Sequence, residues 1–211
     1  MDLSSAAIVV AHPDDEILWF SSIVAKVGRI IMCYGAVNSK PERAQQRRNV
    51  VDNYPLPTLQ FFDLPEPGNV SPAVDDEAQL ALTERLRVGL SGVNTVFTHN
   101  PWGEYGHKDH KRVNAAVLAL QGETNFAVYV SSYVDRRVFD SFEDGLNRGI
   151  AGIVSFPVDR PTIEPIFALY KSNSCWTWAA NWLWPKQENF FRVGDSVSLQ
   201  PTAIPVQLIC Q

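Results

Sequence analysis

The sequence predicts an α/β fold: a mostly parallel sheet covered by helices on both faces. Short apolar runs alternate with longer helical patterns along the first 130 residues. The runs are apolar at consecutive positions, which marks strands buried on both faces rather than half-solvated ones. Gly and Pro stand at the junctions, where helices and strands are expected to stop.

The elements follow in order. Ala7-Ile8-Val9-Val10 reads as a first strand and Ile17 to Ala25 as a helix. After Gly28 comes a second strand, Ile30 to Tyr34, then a helix from Pro41 to Tyr54 stopped by Pro55 and Pro57. Leu59 to Phe62 is a third strand, and a loop with Pro65, Pro67, Gly68 and Pro72 leads to an acid-opened helix from about Asp75 to Leu90. Thr95 to Thr98 is a fourth strand, Lys108 to Leu120 a helix, and Phe126 to Val130 a fifth strand. Beyond these, Ile150 to Val154 and Ile204 to Ile209 are expected as strands, with a helix near Thr162 to Lys171. Right-handed crossovers would put the carboxyl ends of the parallel strands on one rim. No repeat, linker or low-complexity tract interrupts the chain, so residues 1–211 are read as one domain.

Bulk composition excludes several functions. At 45% hydrophobic and 19% charged residues the chain is not disordered. The net charge is −5 and Lys and Arg are nowhere blocked together, which argues against nucleic acid as a partner. Arg43 to Arg48 alternates with Gln and reads as a solvated helix face or an anion site. Cys33, Cys175 and Cys210 are odd in number and far apart, with no CxxC pair, so a reducing cytoplasm is expected. Met1 to Ser5 has no positive n-region and no apolar run approaches ~20 residues, so neither a secretory signal nor a membrane span is expected. The sequence is compatible with a homo-oligomer.

The chemistry concentrates in two places. Ala11-His12-Pro13-Asp14-Asp15-Glu16 packs an imidazole and three carboxylates into the turn after strand one. In an open parallel sheet, ligands bind at strand carboxyl ends. Pro13 biases His12 toward an extended backbone, so His12 and Asp15 can face one point while Asp14 approaches it from another side. N-capping accounts for one Asp but not for the whole cluster. The second cluster follows strand four, where His99 to His110 holds three of the four histidines in the protein. His107 and His110 are three apart at a helix start and share a face. Imidazole and carboxylate donors without Cys suit zinc, with iron, cobalt or manganese as alternatives. Catalytic zinc takes three protein ligands, which His12, Asp15 and one of the two histidines would supply. The other histidine would be left to move a proton, with Asp109 as a candidate to orient it. His99 could serve the site or simply brace the loop.

Together, the AHPDDE turn and Gly106-His107-Lys108-Asp109-His110 resemble the PIG-L/LmbE-type zinc N-deacetylase superfamily. Its members remove the N-acetyl group from N-acetylglucosamine conjugates on a Rossmann-like sheet. Their substrates include the sugar of GPI-anchor synthesis and the inositol- or malate-linked sugars of bacterial thiol synthesis. Gly103 to His110 is most similar to the mycothiol type, which has Pro where Lys108 stands. The resemblance runs from about residue 6 to 120, with Tyr170-Lys171-Ser172 also similar to a segment late in many members.

The resemblance implies His12, Asp15 and His110 as zinc ligands and Asp14 as the general base. It implies His107 as an electrophilic or acid imidazole oriented by Asp109, and Tyr105 as a contact to the reacting amide. The family's Arg-x-x-Glu sugar contact is matched only by Arg43 with Gln46, and Arg47 and Arg48 are alternatives. Glu66, past strand three, and Trp102, inside the second cluster, are candidate contacts to a small amino-sugar substrate. The tryptophans of the 176–184 segment are read as core packing ahead of a pocket wall or a partner-facing patch. Two other readings compete: another mononuclear metal hydrolase, and a non-catalytic sugar-binding module. Few carboxylate bridges and the absence of a Gly-rich phosphate turn count against two-metal phosphoester cleavage and dinucleotide binding respectively.

Overall fold

The computed structural model describes residues 1–36, 40–56, 58–68, 71–135, 150–178, 182–194 and 207–208. The chain runs β1 (Ala6–Val10), α1 (Asp15–Trp19), β2 (Arg29–Ala36), α2 (Pro41–Asp52), β3 (Leu59–Pro65), α3 (Pro72–Gly89) and β4 (Thr95–Thr98). It continues with the short α4 (Gly103–Gly106), α5 (Lys108–Gln121), β5 (Ala127–Ser131), β6 (Tyr133–Val134), β7 (Ile150–Pro157), α6 (Arg160–Ser172), β8 (Gln187–Val193) and β9 (Gln207–Leu208). Seven strands form one sheet in the order β3-β2-β1-β4-β5-β8-β7. The first five run parallel; β8 joins β5 antiparallel and pairs antiparallel with β7. The small β9 pairs with β6 outside this sheet, and Cys210 lies outside the described residues.

Strands β1, β2, β4 and β5 are buried on both sides, as their pattern predicts, whereas β3, at the sheet edge, is only half-buried. Along β1, Ala6, Ile8 and Val10 enter one core cluster and Ala7 and Val9 the other. The first cluster is closed by α1, α2 and α6 through residues such as Ile17, Val50, Ile163 and Tyr170. The second is closed by α3 and α5, through Leu82, Leu86, Val113 and Leu120. Each fully buried Ile, Leu or Val is worth about 1.5–3 kcal/mol of apolar transfer, so the central strand anchors both layers.

Three local expectations shift. The first helix ends at Trp19 rather than near Ala25. The Ser22 amide donates to the Glu188 carboxylate at 2.8 Å, and Ser21 Oγ donates to the same group at 2.5 Å. A side-chain acceptor thus takes an amide that helix continuation needs, and the chain goes on through turns. α3 starts at Pro72, three residues early, because Pro is favoured in the first turn, where its missing N–H costs nothing. β8 has no counterpart among the expected strands: its inward Glu188 and adjacent buried Phe190 and Phe191 break any alternation.

Strands β1 and β4 are neighbours, yet the chain leaves them toward opposite edges of the sheet. That reversal opens a crevice at their carboxyl ends, where ligands of such sheets bind. The turn after β1 and the loop after β4 are the two segments that carry the histidines. No helix among the described residues is long and apolar enough to cross a membrane.

Glu188 also accepts from Tyr133 Oη at 3.0 Å. Glu188→Ala should strand these buried donors and lower stability by about 3 kcal/mol, read as a fall in the urea unfolding midpoint. An unchanged midpoint would contradict this account of the α1 terminus.

Candidate active site

The turn after β1 sends its three carboxylates in different directions. Asp14 sits at φ 102° and ψ −25°, a conformation unusual for a residue with a side chain. Its amide donates to Glu16 Oε2 at 3.1 Å. Glu16 is turned to two tyrosines, accepting from Tyr54 Oη at 2.9 Å and Tyr170 Oη at 2.8 Å. Asp15 folds back, taking the His12 amide on Oδ2 at 2.8 Å and the Trp19 indole N–H on Oδ1 at 3.0 Å. Asp14 Oδ2 accepts from the Thr177 amide at 3.1 Å and the Thr177 hydroxyl at 2.7 Å.

The loop after β4 is stitched to this turn. Thr98 Oγ1 donates to the Val9 carbonyl at 3.0 Å, and the Ala11 amide donates to His99 Nε2 at 2.9 Å. The loop then bends through Gly103 (φ 65°), Glu104 (φ 54°) and Gly106 (φ 95°). Glu104 is fully buried and lies 3.0 Å from His99 Nδ1 and 2.7 Å from His110 Nδ1. His107 caps α5, accepting the Asp109 amide on Nδ1 at 3.2 Å. The i, i+3 spacing stacks the His107 and His110 rings, 4.6 Å between centroids.

Metal donors converge where the two segments meet. His12, His107 and His110 can place one donor atom each within 4.8 Å of one another, and so can Asp15, His99 and His110. The set expected from sequence draws on both: His12 Nδ1 lies 3.4 Å from Asp15 Oδ2, and His110 Nε2 lies 3.3 Å from Asp15 Oδ1. His110 Nε2 is buried without a hydrogen-bond partner. An orphaned imidazole nitrogen facing a buried carboxylate requires a cation between them, either a proton or a metal. Burial opposes charge on His110, but the Asp15 carboxylate raises its pKa, and the imidazoles in turn hold Asp15 well below the usual range despite its burial. Glu104 backs His110, and Asp109 Oδ2 lies 3.3 Å from His12 Nε2, each a carboxylate behind a candidate ligand. His12 and His110 each reach a different oxygen of Asp15, and these nitrogen and oxygen donors are of the kind that suits a divalent metal.

Around this centre lies a cavity of about 140 Å³ that reaches Asp14, Tyr105, His107 and Trp178. Burial, with the Asp15 charge alongside, pushes the Asp14 carboxyl up to about 7. Burial together with His110 and His12 pushes His107 down to about 3, so its imidazole is neutral in this arrangement rather than cationic. Asp109 meets His107 through its main-chain amide only. Its carboxylate is held by Arg112 at 2.6 Å and faces His12.

The expected substrate contacts separate. Arg43 and Glu66 line the cavity, as does the buried Arg47, which donates to Glu66 Oε1. Arg48 pairs instead with Asp63 on the exposed side of α2. Trp102 packs against the second core cluster and is not among the cavity's lining residues. The late tryptophans divide: Trp176 and Trp184 pack on Phe167 in the core, as expected, whereas Trp178 lines the cavity, 5.1 Å from the Tyr105 ring. Thr177 and Glu104 were not legible as site residues. Thr177 is 163 positions from its partner, and Glu104 offered only its place inside the histidine-rich loop as a signal.

No family model matches the chain. Over 133 residues it is 27% identical to the N-acetylglucosaminyl-phosphatidylinositol de-N-acetylase of Bos taurus, covering 57% of this chain. The aligned part is 51% of that protein, so the chain spans about half the length of the curated relative it matches. Among solved structures, a deacetylase of the teicoplanin biosynthesis pathway superposes with a TM-score of 0.64 at 14% identity, covering 93% of this chain and 100% of that one. The A40926 pseudoaglycone deacetylase Dbv21 gives 0.64 at 12% identity, over 94% and 100%. The zinc inhibited form of teicoplanin deacetylase Orf2 gives 0.61 at 13%, over 93% and 100%. The fold is that of these deacetylases. Both the sequence relative and the fold neighbours thus fall in the class that the two motifs resemble.

His110→Ala should weaken Zn²⁺ binding by at least about 100-fold, beyond the 10–100-fold typical of losing a supporting contact. Competition with a chromophoric chelator measures this. Wild-type affinity in the variant would remove His110 from the ligand set.

Proposed function

We propose that this chain is a zinc-dependent N-deacetylase that hydrolyses the acetamide of an N-acetylglucosamine-type sugar or glycoconjugate. One observation carries the reading. His12, Asp15 and a separately held carboxylate, Asp14, face one cavity at the sheet's reversal point, with the buried His110 Nε2 3.3 Å from Asp15 Oδ1. The deacetylase names of the sequence relative and the fold neighbours support it.

His12, Asp15 and His110 would hold the metal, which when bound supplies Lewis acidity toward a water and the amide carbonyl oxygen. Thr177 occupies Asp14 Oδ2 with two donors, and among the described residues Oδ1 has none. Oδ1 is therefore the atom that takes the proton of the attacking water. A carboxyl pushed up to about 7 suits a base that must later give the proton back near neutral pH. The neutral His107 donates a hydrogen bond to the carbonyl oxygen as charge develops there, and its ring is set by the Asp109 amide on Nδ1. Tyr105, whose ring lies 5.6 Å from that of His107, provides a second donor. Trp178 takes the role of aromatic wall for the sugar, while Arg43 and the Arg47–Glu66 pair meet its hydroxyls. The free, buried Cys33 and Cys175 suit a reducing cytoplasm.

Two measurements test this reading. Asp14→Ala should keep its metal and lose about 10²–10⁴-fold in turnover, followed as acetate release from a panel of N-acetylated sugars. Full turnover in that variant would remove Asp14 as base. Chelation should abolish acetate release and added Zn²⁺ should restore it; activity that survives complete metal removal would overturn the metal-dependent mechanism.

A further inference from the structure

Glu104 has no role in the reaction derived above, yet four groups hold its carboxylate at the centre. It is wholly buried, and its backbone is held at φ 54° and ψ −60°, a conformation that residues with side chains rarely adopt. Oε1 accepts from the Asn100 amide at 3.1 Å and from Ser131 Oγ. Oε2 lies between two imidazoles, 3.0 Å from His99 Nδ1 and 2.7 Å from His110 Nδ1. The two rings stack at 3.8 Å between centroids, so one oxygen serves both.

The protons on these rings follow from their partners. A backbone N–H can only donate, and the Ala11 amide points at His99 Nε2 at 2.9 Å. His99 Nε2 is therefore an acceptor, and its proton sits on Nδ1, where Glu104 accepts it. At His110, the carboxylate can only accept, so Nδ1 again carries the proton. The atom left over is Nε2, the buried nitrogen without a hydrogen-bond partner that faces Asp15 Oδ1.

We propose that Glu104 is a positioning residue. By accepting the Nδ1 protons of both His99 and His110, it directs His110 Nε2 to the metal and His99 Nε2 to the Ala11 amide. A single carboxylate thus sets a ligand's donor atom and also ties the loop after β4 to the residue before His12. Glu104 itself touches neither metal nor substrate, and the proposal rests on the metal centre assigned above.

The test is made on the zinc- or ¹¹³Cd-loaded protein. In the wild type, ¹H–¹⁵N spectra of the imidazoles should show slowly exchanging Nδ1 protons on His99 and His110, with ¹¹³Cd coupling at His110 Nε2. A Glu104→Gln side chain keeps the shape but cannot accept two N–H groups with the same strength. It should lower Zn²⁺ affinity about 10–100-fold and alter the His110 Nδ1 resonance. Ser131→Ala removes another Glu104 contact without touching either imidazole, and should leave zinc affinity within about two-fold. Coupling at His110 Nδ1 in the wild type, or wild-type zinc affinity in folded Glu104→Gln, would overturn the proposal. A protein that shows these protonation states and affinities but releases no acetate from any N-acetylated sugar would instead count against the deacetylase reading alone.

Discussion

A carboxylate taken out of water stays ionised only if positive charge and hydrogen-bond donors replace the solvent, and the active centre is organised around that requirement at Asp15. Asp15 is almost wholly buried. It receives the His12 amide and the Trp19 indole, and three imidazoles (His12, His99 and His110) come within 3.5 Å of its oxygens. The groups around Asp15 come from β1's turn, α1, the β4 loop and α5, so the anion links the two halves of the crevice. A cation at this point completes the arrangement.

Holding such a centre uses conformations that the chain would not adopt by itself. Asp14 and Glu104, one from each half of the site, both have positive φ without being glycine, a strain of about 1–3 kcal/mol each when surroundings enforce it. The enforcement is visible at both places. The Glu16 carboxylate, clasped by Tyr54 and Tyr170, holds the Asp14 amide. Glu104 is held by Asn100, Ser131 and two histidines, and its carbonyl accepts the Asp135 amide at 2.8 Å. The rigid layers on either side of β1 allow that strain to persist.

Polarity falls away sharply on one side of the centre. Trp19 packs between Tyr133, Trp178 and Trp182, with Tyr105 completing the wall toward the cavity. Low-polarity walls strengthen interactions among the charged groups they enclose, and burial accounts for the largest push on Asp14 and His107 alike. Burial raises one group and lowers the other, and Tyr105 and Trp178 present the aromatic part of this wall to the cavity.

What was legible in the sequence is local. Consecutive apolar residues mark strands with two buried faces, and residue types two to four apart share a turn or a helix face, so β1 to β5, the AHPDDE turn and the His107–His110 pair could all be read directly. What only the tertiary structure decided depends on contacts between distant segments. Thr177 reaches Asp14 across 163 positions, and Glu188 reaches Ser21 and Ser22 across 167 and 166, ending α1 early. Trp178 rather than Trp102 lines the cavity, because the segment after α6 returns over the β1 turn while Trp102 faces the other core. Local spacing determines which residues carry the chemistry. Which oxygen or nitrogen of each is left free for it depends on partners that only the folded chain brings within hydrogen-bonding distance.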